Sequence, residues 1–109
     1  MEDLIFAPQE GKVQRISVGT TGDRTQLEPF LLGPGWIRVK ANGASVDIVF
    51  GGVDVNVPSF GNVGTSTDAW PLAAGEWMDF YLVTETHVAW EADGTGDLAL
   101  MPAGRKHRP

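Results

Sequence analysis

At 109 residues the chain has room for one domain with a thin core, and having no cysteine it can form no disulfide, thiolate nucleophile or cysteine-held metal site. Its formal net charge is −6, yet residues 105–109 hold three of the eight basic residues. Residues 1–104 therefore set five basic against fourteen acidic residues, a balance of −9 that suits no phosphate-tracking surface and makes nucleic acid an unlikely partner of the folded body.

Residues 1–11 read as an extended arm, with Leu4, Ile5 and Phe6 as an apolar cluster closed by Pro8 and Gly11. Met1, Glu2 and Asp3 lack the positive start of a signal peptide, and no run approaches the ~18–20 apolar residues of a membrane span. The expectation is a soluble chain made in the cytoplasm, with no membrane partner. Residues 12–19 alternate, with Ile16 and Val18 on one face and Arg15 and Ser17 on the other. Residues 19–28 read as a polar loop. Phe30, Leu31 and Leu32 stand between Pro29 and Gly33, too short a run for a helix.

Asn42 and Gly43 separate two alternating runs, 36–41 and 44–50, which predicts a β-hairpin with a tight turn. Ile37, Val39 and Ala41 share one face, as do Val46, Ile48 and Phe50. Trp36, Arg38, Lys40, Ser45, Asp47 and Val49 form the outward face. Gly51 and Gly52 lead into a predicted strand at 53–57. Residues 58–70 form the longest loop, and loops of that length on small scaffolds often carry contacts. Residues 71–75 read as a tight connection. The run 76–83 is apolar on both faces, with Met78, Phe80 and Leu82 on one and Trp77, Tyr81 and Val83 on the other. Strands at 86–91 and 97–101 complete a count of about seven. The fold class is all-β, an antiparallel, jelly-roll-like β-sandwich over 12–103, between the arm and a basic tail at 104–109. Its expected core is Ile37, Val39, Val46, Ile48, Phe50, Phe80, Leu82, Val88, Trp90, Leu98 and Leu100.

No reaction signature is present: neither GxSxG, nor a P-loop, nor HExxH, nor GxGxxG opening a helix. His87 has no partners at ligand spacing, and the acids around Gly94 and Gly96 fit a turn better than a calcium loop. Asp47 and Asp54 read as solvated surface acids rather than a glycosidase pair. The expectation is a chain with no catalytic residues, no metal and no cofactor. Four tryptophans remain: Trp90 reads as core, and Trp36, Trp70 and Trp77 as core, interface or sugar-stacking groups.

The stretch from Trp70 to Glu76, followed by Phe80, Tyr81 and Leu82, then residues 86–89 and the turn Gly94, Thr95, Gly96, Asp97 and Leu98, resembles small β-sandwich virion proteins of tailed bacteriophages. The resemblance covers roughly residues 36–101. It implies a non-enzymatic structural protein located in the virion, most simply a capsid decoration (cement) protein that binds major capsid protein, or a head- or tail-associated accessory protein. It also implies a trimer. The physical motive for self-association is separate: a thin sandwich can cover only one face of 76–83. The candidate subunit or partner contacts are Leu4, Ile5, Phe6, Phe60, Trp70, Leu72, Trp77 and Tyr81, with Arg105, Lys106 and Arg108 of the tail as further partner contacts. The second reading is a carbohydrate- or receptor-binding module that uses exposed tryptophans. A cupin-like enzyme is disfavoured, because its metal site wants several histidines.

Overall fold

The computed structural model describes residues 12–57 and 69–103. Eight strands form two four-stranded antiparallel sheets. In chain order they are β1 Gln14–Val18, β2 Asp23–Gln26, β3 Gly35–Asn42, β4 Val46–Gly51, β5 Trp70–Leu72, β6 Trp77–Leu82, β7 His87–Ala92 and β8 Gly96–Pro102. A single 3-10 turn, Pro29–Leu31, opens on a proline, whose fixed φ suits a first helical position. Sheet A has the order β1-β8-β3-β6 and sheet B the order β2-β7-β4-β5. The pairs β1 with β8, β2 with β7, β3 with β6 and β4 with β5 are all antiparallel, so the chain is one long ribbon folded on itself. Wrapping that ribbon into two facing sheets gives an eight-stranded jelly roll.

Alternation builds the core. Every second residue of β3 points inward, and Ile37, Val39 and Ala41 are fully buried. Val46 and Ile48 answer from β4, Val88 and Trp90 from β7, Leu98 and Leu100 from β8. Each aliphatic side chain so buried contributes ~1.5–3 kcal/mol. The expected core holds throughout, with Phe50 and Phe80 as its half-buried margin. Leu27, Leu31 and Leu72 complete it. The indole N–H of Trp90 donates to Thr25 Oγ1 at 3.3 Å, which satisfies the ring's one polar group.

Several sequence expectations are overturned. The strands flanking Asn42 and Gly43 do not pair: β3 lies between β8 and β6, and β4 between β7 and β5. Only Gly43 takes a positive φ (84°), whereas the hairpin turn needs both residues there. The connection is a corner between sheets. Its tightness shows at Gly96, where a Cβ would strike the carbonyl oxygen of Asn42. Residues 53–57 form no strand. Both flanks of β4 are already taken, so this segment cannot return along β4 as a hairpin. It turns instead, with Val55 N–H donating to Gly52 O at 3.0 Å and Val53 62% exposed. Two short strands, β2 and β5, stand where the sequence predicts loop and tight connection. Both are pairing partners supplied by distant sequence, and neither carries an alternating apolar pattern of its own. Asp47 is not a solvated acid: it lies opposite Glu91 across β4 and β7, and both side chains are buried.

Candidate interaction surface

The site grows from the pairing of β3 with β6. Cross-strand partners share a face, and here the outward partners are Trp36 with Tyr81, Arg38 with Asp79 and Lys40 with Trp77. These three rungs stand ~7 Å apart, two residues of strand rise. Trp36 and Tyr81 meet edge to face, with centroids 5.3 Å apart. The guanidinium of Arg38 is held on two sides. Its Nε and Nη2 donate to Asp79 Oδ1 and Oδ2 at 2.7 and 3.0 Å, and its carbon lies 3.8 Å from the ring centre of Trp77. The Asp79 hydrogen bonds raise the pKa of Arg38, so its charge is fixed at any ordinary pH. Arg38 thus ties its own rung to that of Trp77, while Trp36 and Tyr81 hold each other.

They are also exposed. Trp36, Trp77, Tyr81 and Val83 all keep roughly half of their surface in contact with solvent. β6 is the last strand of sheet A, and β5, carrying Trp70, is the last of sheet B. Between these two margins Phe80 packs against Phe50 at 5.3 Å and Trp70 at 6.5 Å. The aromatic surface therefore runs from the outer face of sheet A around its edge to Trp70.

Of the residues singled out from sequence, Trp77, Tyr81 and Trp70 fall on this surface. Leu72 does not. It is 1% exposed, because β5 turns it inward against Val46, and it belongs to the core. Leu4, Ile5, Phe6, Phe60, Arg105, Lys106 and Arg108 lie outside the described residues. Sequence reasoning did not select Arg38 and Asp79. The outward position of Arg38 was legible, but its partner lies 41 residues away, and only the register shows it.

The other polar features have local roles. His87 Nδ1 lies 2.8 Å from Thr86 Oγ1, and Asp93 Oδ1 accepts the Ser45 N–H at 2.9 Å, clamping the sheet-to-sheet corner. Among the described residues no group of three or more His, Asp or Glu side chains is placed to hold a metal ion. A shallow depression beside the 3-10 turn is lined by Gln26, Leu27, Glu28, Pro29 and Leu32, with a single carboxylate and no partner group for chemistry. No helix of the described residues is long and apolar enough to cross a membrane.

Against known protein families, characterised proteins and solved structures, the chain finds no match.

Proposed function

We propose that this chain is a non-enzymatic structural protein of a tailed-phage virion, a decoration or accessory protein that binds another virion protein through the outer face of β3 and β6. The observation that supports this reading is the exposed row formed by the Trp36–Tyr81 pair and by Arg38 held between Asp79 and Trp77. Tryptophan, tyrosine and arginine are the residues on which protein interfaces most often turn, and rigid side chains lose little entropy on binding. The virion as the setting rests on the sequence resemblance alone, since jelly rolls serve capsids, lectins and enzymes alike.

The second reading, a glycan-binding module, draws on the same aromatics. The ladder suits it less well. A sugar stacks on an open ring face, whereas one face of Trp77 is covered by Arg38, and Trp36 and Tyr81 are engaged with each other. The test is co-sedimentation of the tagged chain with heads purified from a phage that encodes it. Pelleting is expected, and its loss in Trp77→Ala with an unchanged far-UV circular dichroism spectrum. Failure to pellet removes the virion reading. A glycan-array signal lost in Trp36→Ala and Trp70→Ala establishes the second.

A further inference from the structure

Among the described residues the jelly roll has four edge strands, and three of them are poor templates for a further strand. β2 is four residues long and polar throughout. β5 has three residues with Pro71 in the middle, which has no N–H to offer. β1 is short, carries Arg15 outward, and is tied to β2 through Gln14. Shortness, charge and proline are the usual protections of a sheet edge. β6 has none of them. It runs six residues, Trp-Met-Asp-Phe-Tyr-Leu, and its one charge is neutralised by Arg38.

Its backbone is also turned the right way. Ala41 N–H donates to Glu76 O at 3.0 Å, and the carbonyl of Trp36 accepts from Ala103 on the β8 side. Antiparallel alternation then sends the backbone groups of Met78, Phe80 and Leu82 to β3, and those of Trp77, Asp79 and Tyr81 outward. Among the described residues no strand pairs with that outward row. The next donor along it, Val83 N–H, is taken by the Glu85 carboxylate at 2.6 Å, which closes the row at a defined point.

We infer that β6 is the edge along which two copies of this chain join, antiparallel about a two-fold axis, making one continuous sheet from the two copies of sheet A. An antiparallel edge is its own complement: the outward N–H groups of Trp77, Asp79 and Tyr81 each meet an outward carbonyl of the other copy, while the Val83 N–H stays with Glu85, and the contact closes about its axis. Opposed residues must share a face, which restricts the register. Setting Asp79 against its own copy would oppose like charges. Placing Phe80 on the axis instead sets Asp79 opposite Tyr81, Trp77 opposite Val83 and Met78 opposite Leu82. Trp77 then meets Val83 and Met78 meets Leu82, and each Asp79 keeps its own arginine beside Tyr81 of the other copy. The chain is acidic overall, but the outer face here is not: Arg38 and Lys40 accompany the single Asp79. The joined sheet covers the edge of β6 and leaves two copies of the ladder side by side. The inference rests on β6 as a contact surface and not on the partner being a virion.

Sedimentation equilibrium or light scattering on the full chain reads the outcome. The expected mass is about twice 11.7 kDa. Tyr81→Pro removes one outward N–H and no bond to β3, and is expected to give a monomer with an unchanged far-UV spectrum. Tyr81→Glu, which sets like charges against Asp79 of the other copy, serves the same purpose should proline disturb folding. Because the chain has no native cysteine, Phe80→Cys, read only on protein that keeps the parent far-UV spectrum since it opens the ring seam, is expected to cross-link under oxidation, the opposed Cα atoms lying at the ~4.5 Å of a non-hydrogen-bonded pair. A monomer or a trimer for the unaltered chain, a dimer that survives both Tyr81 variants, or cross-linking through Asp79→Cys in place of Phe80→Cys would overturn the inference. A dimer that does not pellet with phage heads leaves it standing and removes the virion reading, and a monomer that pellets does the reverse.

Discussion

The sandwich has two open sides, and they are closed by different chemistry. Where β1 faces β2, the closure is polar: Gln14 points inward, its Nε2 donates to Gln26 O at 3.0 Å, and its Oε1 accepts from Glu28 N–H at 2.8 Å. One buried amide spans the two sheets with both of its functions used, and Lys12 lies over the Phe30 ring beside it. Where β6 faces β5, the closure is a stack of rings, Phe50, Phe80 and Trp70, that remain partly exposed. Hydrogen bonds satisfied within the chain leave nothing to offer a partner. Rings that the described residues cover only in part lie beside a strand edge that no described strand pairs with. The first side is closed by hydrogen bonds within the chain, and the second leaves aromatic surface exposed.

That contrast can be broken by substitution, and the effects should descend in order. Phe80→Ala is predicted to be the most damaging, because it opens the seam between Phe50 and Trp70: a loss of about 2–4 kcal/mol is expected in urea unfolding, toward the lower end because the ring is only half buried. Gln14→Ala strips the partners from a backbone carbonyl and a backbone N–H on the other side. A loss of about 1–3 kcal/mol is expected, with no change in association state, and a change in association would mean that the two sides are not separable. Arg38→Met keeps the aliphatic stem and removes the ion pair. Since both partners remain partly solvated, at 24% and 33% side-chain exposure, a stability change within about 1 kcal/mol is expected. Its larger consequence should be weaker partner binding, read by co-sedimentation, because Trp77 and Asp79 lose the group that orients them.

The smallest effect is a pH dependence at the end of β6. The Val83 N–H stabilises the Glu85 carboxylate and holds its pKa below the ordinary 4.5. The unfolded chain therefore takes up this proton more readily than the folded one. The contribution to stability is complete above 4.5 and is lost as the pH falls through the lower, folded value. Glu85→Gln should be slightly less stable than the parent at pH 7 and indistinguishable from it in strong acid, as paired thermal melts would show. An unchanged difference across that range would mean that the carboxylate charge plays no part.

Much of this was legible in the residues. The alternation of Ile37, Val39 and Ala41, of Val88 and Trp90, and of Leu98 and Leu100 named the core, because a two-residue period leaves only one face to bury. The same alternation placed Trp77, Tyr81 and Trp36 outward, and so most of the aromatic surface could be read before any pairing was known. The polar β2 and the Pro71-bearing β5 could not be found this way, since each is a strand only because a distant strand offers it an edge. The Asn42 and Gly43 signal misled for a related reason. It describes a turn that two strands can make, and says nothing of whether both strands have better partners elsewhere. Here β3 and β4 do, in opposite sheets.

The sequence by itself determined the class of the protein: glycine-punctuated strands, no helix-length period, and more large apolar side chains on 76–83 than one face can hide. These follow from local sterics and hydrophobicity, which act over a few residues. Tertiary structure alone decided that Arg38 meets Asp79, that Asp47 is buried opposite Glu91, that Leu72 turns into the core, and that β6 is an edge of its sheet among the described residues. Each of these depends on which strands become neighbours. That choice is settled by the burial of the whole ribbon at once, and no short stretch of the chain carries it.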